Sequence, residues 1–151
     1  MNIGYGTIIR ECKIGKDTKI WSHCNLYECT IGKRCKIASY VEIGSGVKIG
    51  DDCKIEAYAF IPQGVTLGNG VFIGPHVVFT NDKHPRARDK KWTVQSTLVE
   101  DDVSIGANST ILSGITLHKG AMIGAGSVVT SSVPAGAKFY GPKAVNRGSI
   151  H

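Results

Sequence analysis

The side chains best suited to chemistry fall in one segment, Thr80-Asn81-Asp82-Lys83-His84-Pro85-Arg86-Ala87-Arg88-Asp89-Lys90-Lys91-Trp92. It carries five Lys or Arg against two acidic residues, so it is locally positive and suited to meeting a nucleotide diphosphate or closing over a coenzyme. His84 is its candidate general base, a role that a hydroxyl nucleophile demands because its own pKa is very high. The other histidines, His23, His76, His118 and His151, include no close pair. Three imidazoles around a zinc ion are therefore the weaker reading, and no metal is expected.

The elements that position this segment follow from an internal period of six. Ile31, Ile37, Ile43, Ile49, Ile55, Ile61, Leu67, Ile73 and Phe79 form an unbroken series. Ile8, Ile14, Ile20 and Leu26 precede it with one residue missing before Ile31, and Val99, Ile105, Ile111, Leu117, Ile123 and Val129 resume it. Four places after each aliphatic stands a small or β-branched residue, among them Cys24, Thr30, Cys35, Val41, Cys53, Ala59, Val77, Ser109 and Ala121. Such a period is neither the 3.6 of a helix nor simple strand alternation, so each hexad reads as a short strand plus a turn, three to a triangular coil. Glycine after many of the aliphatics, as at Ile49-Gly50 and Leu67-Gly68, is read as freeing the turn backbone. The expected fold is all-β, a parallel β-helix of about six coils, with one long external loop at about 80–98.

Cys12, Cys24, Cys35 and Cys53 occupy the small slot and read as core filler. Cys29, beside the missing residue, is expected to be partly exposed. His23, Tyr40, Tyr58 and His76 each lie three residues after a repeat aliphatic, one coil apart, and should form an outward ladder along one prism edge. Such a stripe suits subunit packing, or a wall for a sugar or base ring, and the two uses coincide where a site lies between subunits.

Nineteen Gly against four Phe and two Trp suits a turn-rich chain, and 151 residues are expected to form a single domain over 1–151. The net charge of +6 favours an anionic small-molecule partner. Scattered basic residues and the lack of a recognition motif argue against nucleic acid. No apolar run approaches the roughly 20 residues that span a bilayer, and Met1-Asn2-Ile3-Gly4 leads straight into the pattern, so a cytoplasmic location without membrane contact is expected.

The repeat resembles the hexapeptide-repeat acyltransferase superfamily over nearly the whole chain. That resemblance implies a left-handed parallel β-helix, a homotrimer with active sites between subunits, and acetyl-CoA as co-substrate. The same prism also carries γ-class carbonic anhydrases, and a non-catalytic scaffold is a further alternative. Thr80-Asn81-Asp82 followed by Pro85-Arg86-Ala87 is similar to the loop of bacterial nucleotide-linked 3-amino-sugar N-acetyltransferases, whereas His84-Pro85 resembles the Thr-His-Pro of galactoside and maltose O-acetyltransferases. The first likeness implies transfer to the amino group of a UDP- or dTDP-linked sugar; the second implies O-acetylation with His84 as base. Asn81 and His84 are then the candidate catalytic residues, and Asp82, Arg86, Tyr58 and His76 the candidate substrate-binding residues. Similarity of Ile105-Gly106-Ala107 and Ile123-Gly124-Ala125 through Thr130 to the superfamily's last coils implies that Ala107, Gly124, Ala125 and Thr130 receive the pantetheine arm. Lys138, Lys143 and Arg147 are the candidates for its phosphates.

Overall fold

Each hexad folds as a strand of two or three residues and a corner, giving twenty-one strands from Asn2–Ile3 to Lys138–Phe139 in the computed structural model, which describes residues 2–141. All pairings are parallel, and every third strand stacks on the same face, so the chain winds as a three-sided solenoid. The three sheets hold eight, seven and six strands. The stack is therefore deeper than the expected six coils, because Asn2–Ile3 adds a rung before the first counted aliphatic and Lys138–Phe139 adds one after the last. Among the described residues there is no helix, and none long and apolar enough to cross a membrane.

The aliphatic series fills the prism: Leu26, Ile37, Ile43, Ile55, Ile61, Ile73, Phe79, Ile105, Ile111 and Leu117 have no measurable exposure. The small slot forms the corners of the same core, with Cys24, Cys35, Val41, Cys53, Ala59, Val77 and Ala121 buried. Isoleucine suits this interior because its β-branched chain packs against its counterpart one coil away on a pleated surface.

Register differs from the sequence reading near the N-terminus. Leu26 pairs with Ile9 rather than Ile8, and Ile8 is 55 % exposed. In the next coil Cys29 is buried, at 2 %, and Thr30 points outward. Both corrections have one cause, which is that each of the first two coils lacks a residue at the corner between the second and third sheets. The Cys29 thiol lies 3.3 Å from that of Cys12, one coil away, and burial pushes its pKa up to about 12. Cys29 is accordingly expected to resist alkylation by iodoacetamide at pH 8 in the native protein and to react fully once unfolded, as mass spectrometry would show.

The three corners differ in character. At the edge from the third sheet to the first, Gly15, Gly32, Gly50 and Gly68 are needed for close approach rather than for turn freedom, since positive φ falls two residues later, at Asp17, Arg34, Asp52 and Gly70. A Cβ on Gly50 would stand 2.6 Å from the Gly68 backbone of the next coil. Gly50→Ala is therefore expected to cost about 1–3 kcal/mol, read as a lower midpoint in urea. Side chains bridge the coils here as well: Asp51 accepts from the Lys33 N–H, and Asn69 from that of Asp51, both at 2.8 Å.

Candidate active site

Two edges of the prism carry the predicted site residues. The edge from the first sheet to the second is aromatic. His23, Tyr40, Tyr58 and His76 all have positive φ there, between 58° and 63°, a conformation that bulky side chains rarely adopt. Stacking offsets that strain: ring centroids are 5.1, 4.9 and 4.8 Å apart with interplanar angles of 16°, 3° and 8°. The spacing is that of neighbouring strands, so the coil repeat itself sets the stack. Tyr5 closes the stack edge-on against His23 at 5.7 Å. Tyr40 and Tyr58 remain half exposed, so the expected outward ladder is present and presents ring edges to solvent.

Ala107, Gly124 and Ala125 lie further along the same edge, beside Asn108 and Gly126, which take the positive-φ place there. Gly124 is covered, however. A Cβ on it would meet the Tyr140 ring at 2.3 Å, so an extended ligand reaches this backbone only if Tyr140 moves. Lys138 lies on the last strand of the first sheet, opposite Met122. Lys143 and Arg147 lie outside the described residues.

The long loop leaves from the edge between the second and third sheets, the corner that also lost residues in the first two coils. It departs after the Val78–Phe79 strand and rejoins at Thr97–Val99. Its ends are clasped: the Gln95 N–H donates to the Asn81 carbonyl at 3.1 Å, and the Asn81 amide Nδ2 donates to the Gln63 carbonyl at 3.2 Å. Asn81 is thus half-buried at the loop base, with its Oδ1 unpartnered among the described residues. Asp82 turns the chain by accepting from the His84 N–H at 2.9 Å, leaving the His84 ring exposed. Arg86 is exposed, its Nη1 donating to the Pro85 carbonyl at 2.8 Å.

Two hollows flank this stem. One, of about 130 Å³, separates Asp82 and Lys83 from Leu112, Ser113, Gly114 and Thr130. The other, of about 150 Å³, lies within the loop, between Lys83, His84, Lys91 and Trp92. Thr80 ties the stem to the next coil by accepting from the Ser113 N–H at 3.1 Å. Lys83 and Ser113 were not singled out from sequence. Folding the repeat onto coils finds Ser113, which stands two residues after Ile111 as Asn81 does after Phe79; Lys83 has no such periodic signal.

The structure therefore brings together Asn81, Asp82, His84 and Thr130 on the loop edge, and Tyr58, His76, Ala107, Gly124 and Ala125 on the aromatic edge. The two sets do not meet within one chain. From His76 to Thr80 the chain crosses the second sheet, four residues or about 13 Å at strand rise. Among the described residues, no group of three or more His, Cys, Asp or Glu is arranged to hold a metal ion.

Residues 11–45, 28–63, 46–81 and 96–131 match the profile of the bacterial transferase hexapeptide (six repeats). Among curated proteins, none matches the sequence. The fold is similar to that of AntD, an N-acyltransferase from Bacillus cereus solved with dTDP and coenzyme A, at 19 % identity and a TM-score of 0.72 over 91 % of this chain and 80 % of that one. It is similar also to PerB from Caulobacter crescentus, solved with coenzyme A and GDP-perosamine, at 16 % identity and a TM-score of 0.64 over 93 % of this chain. The acetyltransferase domain of PglB from Neisseria gonorrhoeae gives 16 % identity and a TM-score of 0.64 over 89 % of this chain. The chain spans 56 % of PerB and 54 % of the PglB chain.

Proposed function

The chain belongs to the bacterial transferase hexapeptide family, and we propose that within it the protein is an acetyl-CoA-dependent N-acetyltransferase acting on the amino group of a UDP- or dTDP-linked amino sugar. The observation that carries this reading is the basic loop clasped over a hydroxyl-lined hollow at one edge of the prism. It gives an anionic carrier a counter-charge and gives a reacting centre a fixed wall. Similar folds solved with coenzyme A and nucleotide-sugar ligands support the same substrate classes.

The chemistry assigns a task to each part. The sugar amine, delivered neutral, attacks the thioester carbonyl carbon; a tetrahedral oxyanion forms; the C–S bond breaks, and the departing sulfur takes the amine's proton to leave coenzyme A as the thiol. Asn81 Oδ1, held by the clasp of its own Nδ2, accepts from the amine N–H and aims its lone pair. The basic loop residues, Arg86 among them, hold the diphosphate. Tyr58 and His76 form the wall for the sugar or base ring, and Ala107, Gly124, Ala125 and Thr130 take the pantetheine arm with Tyr140 turned aside.

These residues lie on two edges, so the site we propose is shared between copies in a homotrimer. The outer face of the second sheet, between those edges, supports that assembly: Phe60 and Val78, side by side, are each 37 % exposed and Val128, beyond Thr110, 66 %, exposed apolar side chains suited to a subunit interface.

The exposed ring of His84 beside Trp92 favours a second reading, O-acetylation with His84 as base. His84→Ala separates the two. On an amino-sugar acceptor its thiol-release rate is expected to stay within a few-fold of wild type; a fall of about 10²-fold confined to a hydroxyl acceptor would assign His84 the proton and favour the second reading.

A further inference from the structure

The outer face of the first sheet carries chemistry that the loop edge does not use. Lys19, Lys36 and Lys54 stand directly opposite one another on three successive strands. Their side chains leave the sheet about 4.8 Å apart, and like charges in direct register destabilise a sheet. The third sheet avoids this arrangement by placing Thr30 between its outward Lys13 and Lys48. In the first sheet Lys54 alone is compensated, by Glu56 at 2.7 Å and by the Phe72 ring, whose centroid lies 5.7 Å from Nζ. Among the described residues, no carboxylate lies within ion-pair distance of Lys19 or Lys36.

A second column runs beside the lysines, two residues further along each strand: Trp21, Ala38 and Glu56. Trp21 is 45 % exposed, and the small side chain of Ala38 leaves space beside its indole. The two columns line a groove of about 550 Å³, within the size range of small-ligand sites. An unpaired cationic pair, a half-exposed indole over a small floor, and a carboxylate at the far wall are three different recognition elements in one groove.

We propose that this groove binds a nucleoside diphosphate. The base stacks on Trp21 above Ala38, the phosphate oxygens accept from Lys19 and Lys36, and the ribose hydroxyls donate to Glu56. Bound phosphate removes the Lys19–Lys36 repulsion. The groove lies apart from the loop edge that holds the diphosphate in the proposed reaction, though it borders the aromatic edge at Ser39 and Ala57; only the choice of occupant rests on the acyl-transfer reading, and binding is read without turnover. Its occupant has two sources with shared chemistry: the nucleoside diphosphate that carries a sugar, and the adenosine diphosphate end of a coenzyme.

Trp21 is its own reporter. In a Trp92→Phe chain it is the sole tryptophan. Titration of that chain with UDP and, separately, with coenzyme A is expected to give saturable quenching of Trp21 by one of them, and the ligand that quenches identifies the source. Lys19→Gln with Lys36→Gln in the same background is expected to weaken that binding by about tenfold or more, with a thermal midpoint no lower than the parent's because the repulsion is gone. Absence of saturable quenching by either ligand, or quenching that the double substitution leaves unchanged, would overturn the site. A clearly lowered midpoint would overturn the argument from unpaired charge.

Discussion

Replacing residues 83–92 with Gly-Gly is expected to abolish acyl transfer, lowering turnover by about 10³-fold or more, while leaving the thermal midpoint within a few degrees of wild type. The two halves of that expectation have separate causes. Stability is retained because the ends of the loop already meet: Asn81 and Gln95 are hydrogen-bonded, and Val94, which stays in the shortened chain, packs against Gly64 in the preceding coil. The loop contributes no strand to any sheet, so the rungs on either side keep their partners. Activity is lost because the excised segment carries Lys83, His84, Arg86 and Trp92, hence most of the positive charge at this edge and the walls of the inner hollow. Thiol release and circular dichroism read the two quantities independently. A shortened protein that keeps its activity would move the site to another edge.

Ile73→Asp is expected to have the largest effect on stability. Ile73 is fully buried and stacked between Ile55 and Ile105 in the first sheet. A carboxylate there has no partner inside the prism, and an unpaired buried charge costs more than about 4 kcal/mol, a large share of the 5–15 kcal/mol that holds a typical domain folded. In a solenoid each coil is held by its neighbours, so a broken rung in the middle separates the coils before it from those that carry the loop and the last repeats. Ile73→Val, which removes one methylene, is expected to cost only about 0.5–1.5 kcal/mol. Urea unfolding of the two variants beside wild type measures both; a small effect of the aspartate would mean that this position is not enclosed.

The repeat was legible because the prism imposes one rule on every rung: an aliphatic inward every sixth residue, with a small residue at the corner. Nine uninterrupted matches, from Ile31 to Phe79, leave no other period that fits. What was not legible came from places where that rule carries no information. A missing residue can be placed at any point of a corner without disturbing the aliphatic count, so spacing alone puts Thr30 in the small slot and leaves Cys29 partly exposed, whereas the chain does the reverse. Glycine after the aliphatic looked like turn freedom, since sequence does not reveal how near the next coil runs; the contact at Gly50 is between two backbones. The aromatic ladder was readable from spacing alone, because residues one coil apart must stack on a straight edge.

The candidate site was half legible for a related reason. The loop announced itself as the one long break in the period, and Asn81, Asp82 and His84 do cluster at its stem. The edge from which it departs follows only from counting corners, and that count separates the loop from Tyr58 and His76 by the width of a sheet. Ser113 is marked only by its coil position, two residues after Ile111, and Lys83 is one of five basic residues in the loop; neither the period nor the charge shows that both wall the hollow at the loop base.

The most direct measurement is thiol release from acetyl-CoA in the presence of UDP- and dTDP-linked 3-amino and 4-amino sugars, set beside hydroxyl acceptors of the same nucleotides, with the product identified by mass spectrometry. The expected result is turnover on an amino sugar alone, with one acetyl group gained on its nitrogen. Turnover confined to the hydroxyl acceptors, or silence on the whole panel, would contradict N-acetyl transfer by this protein.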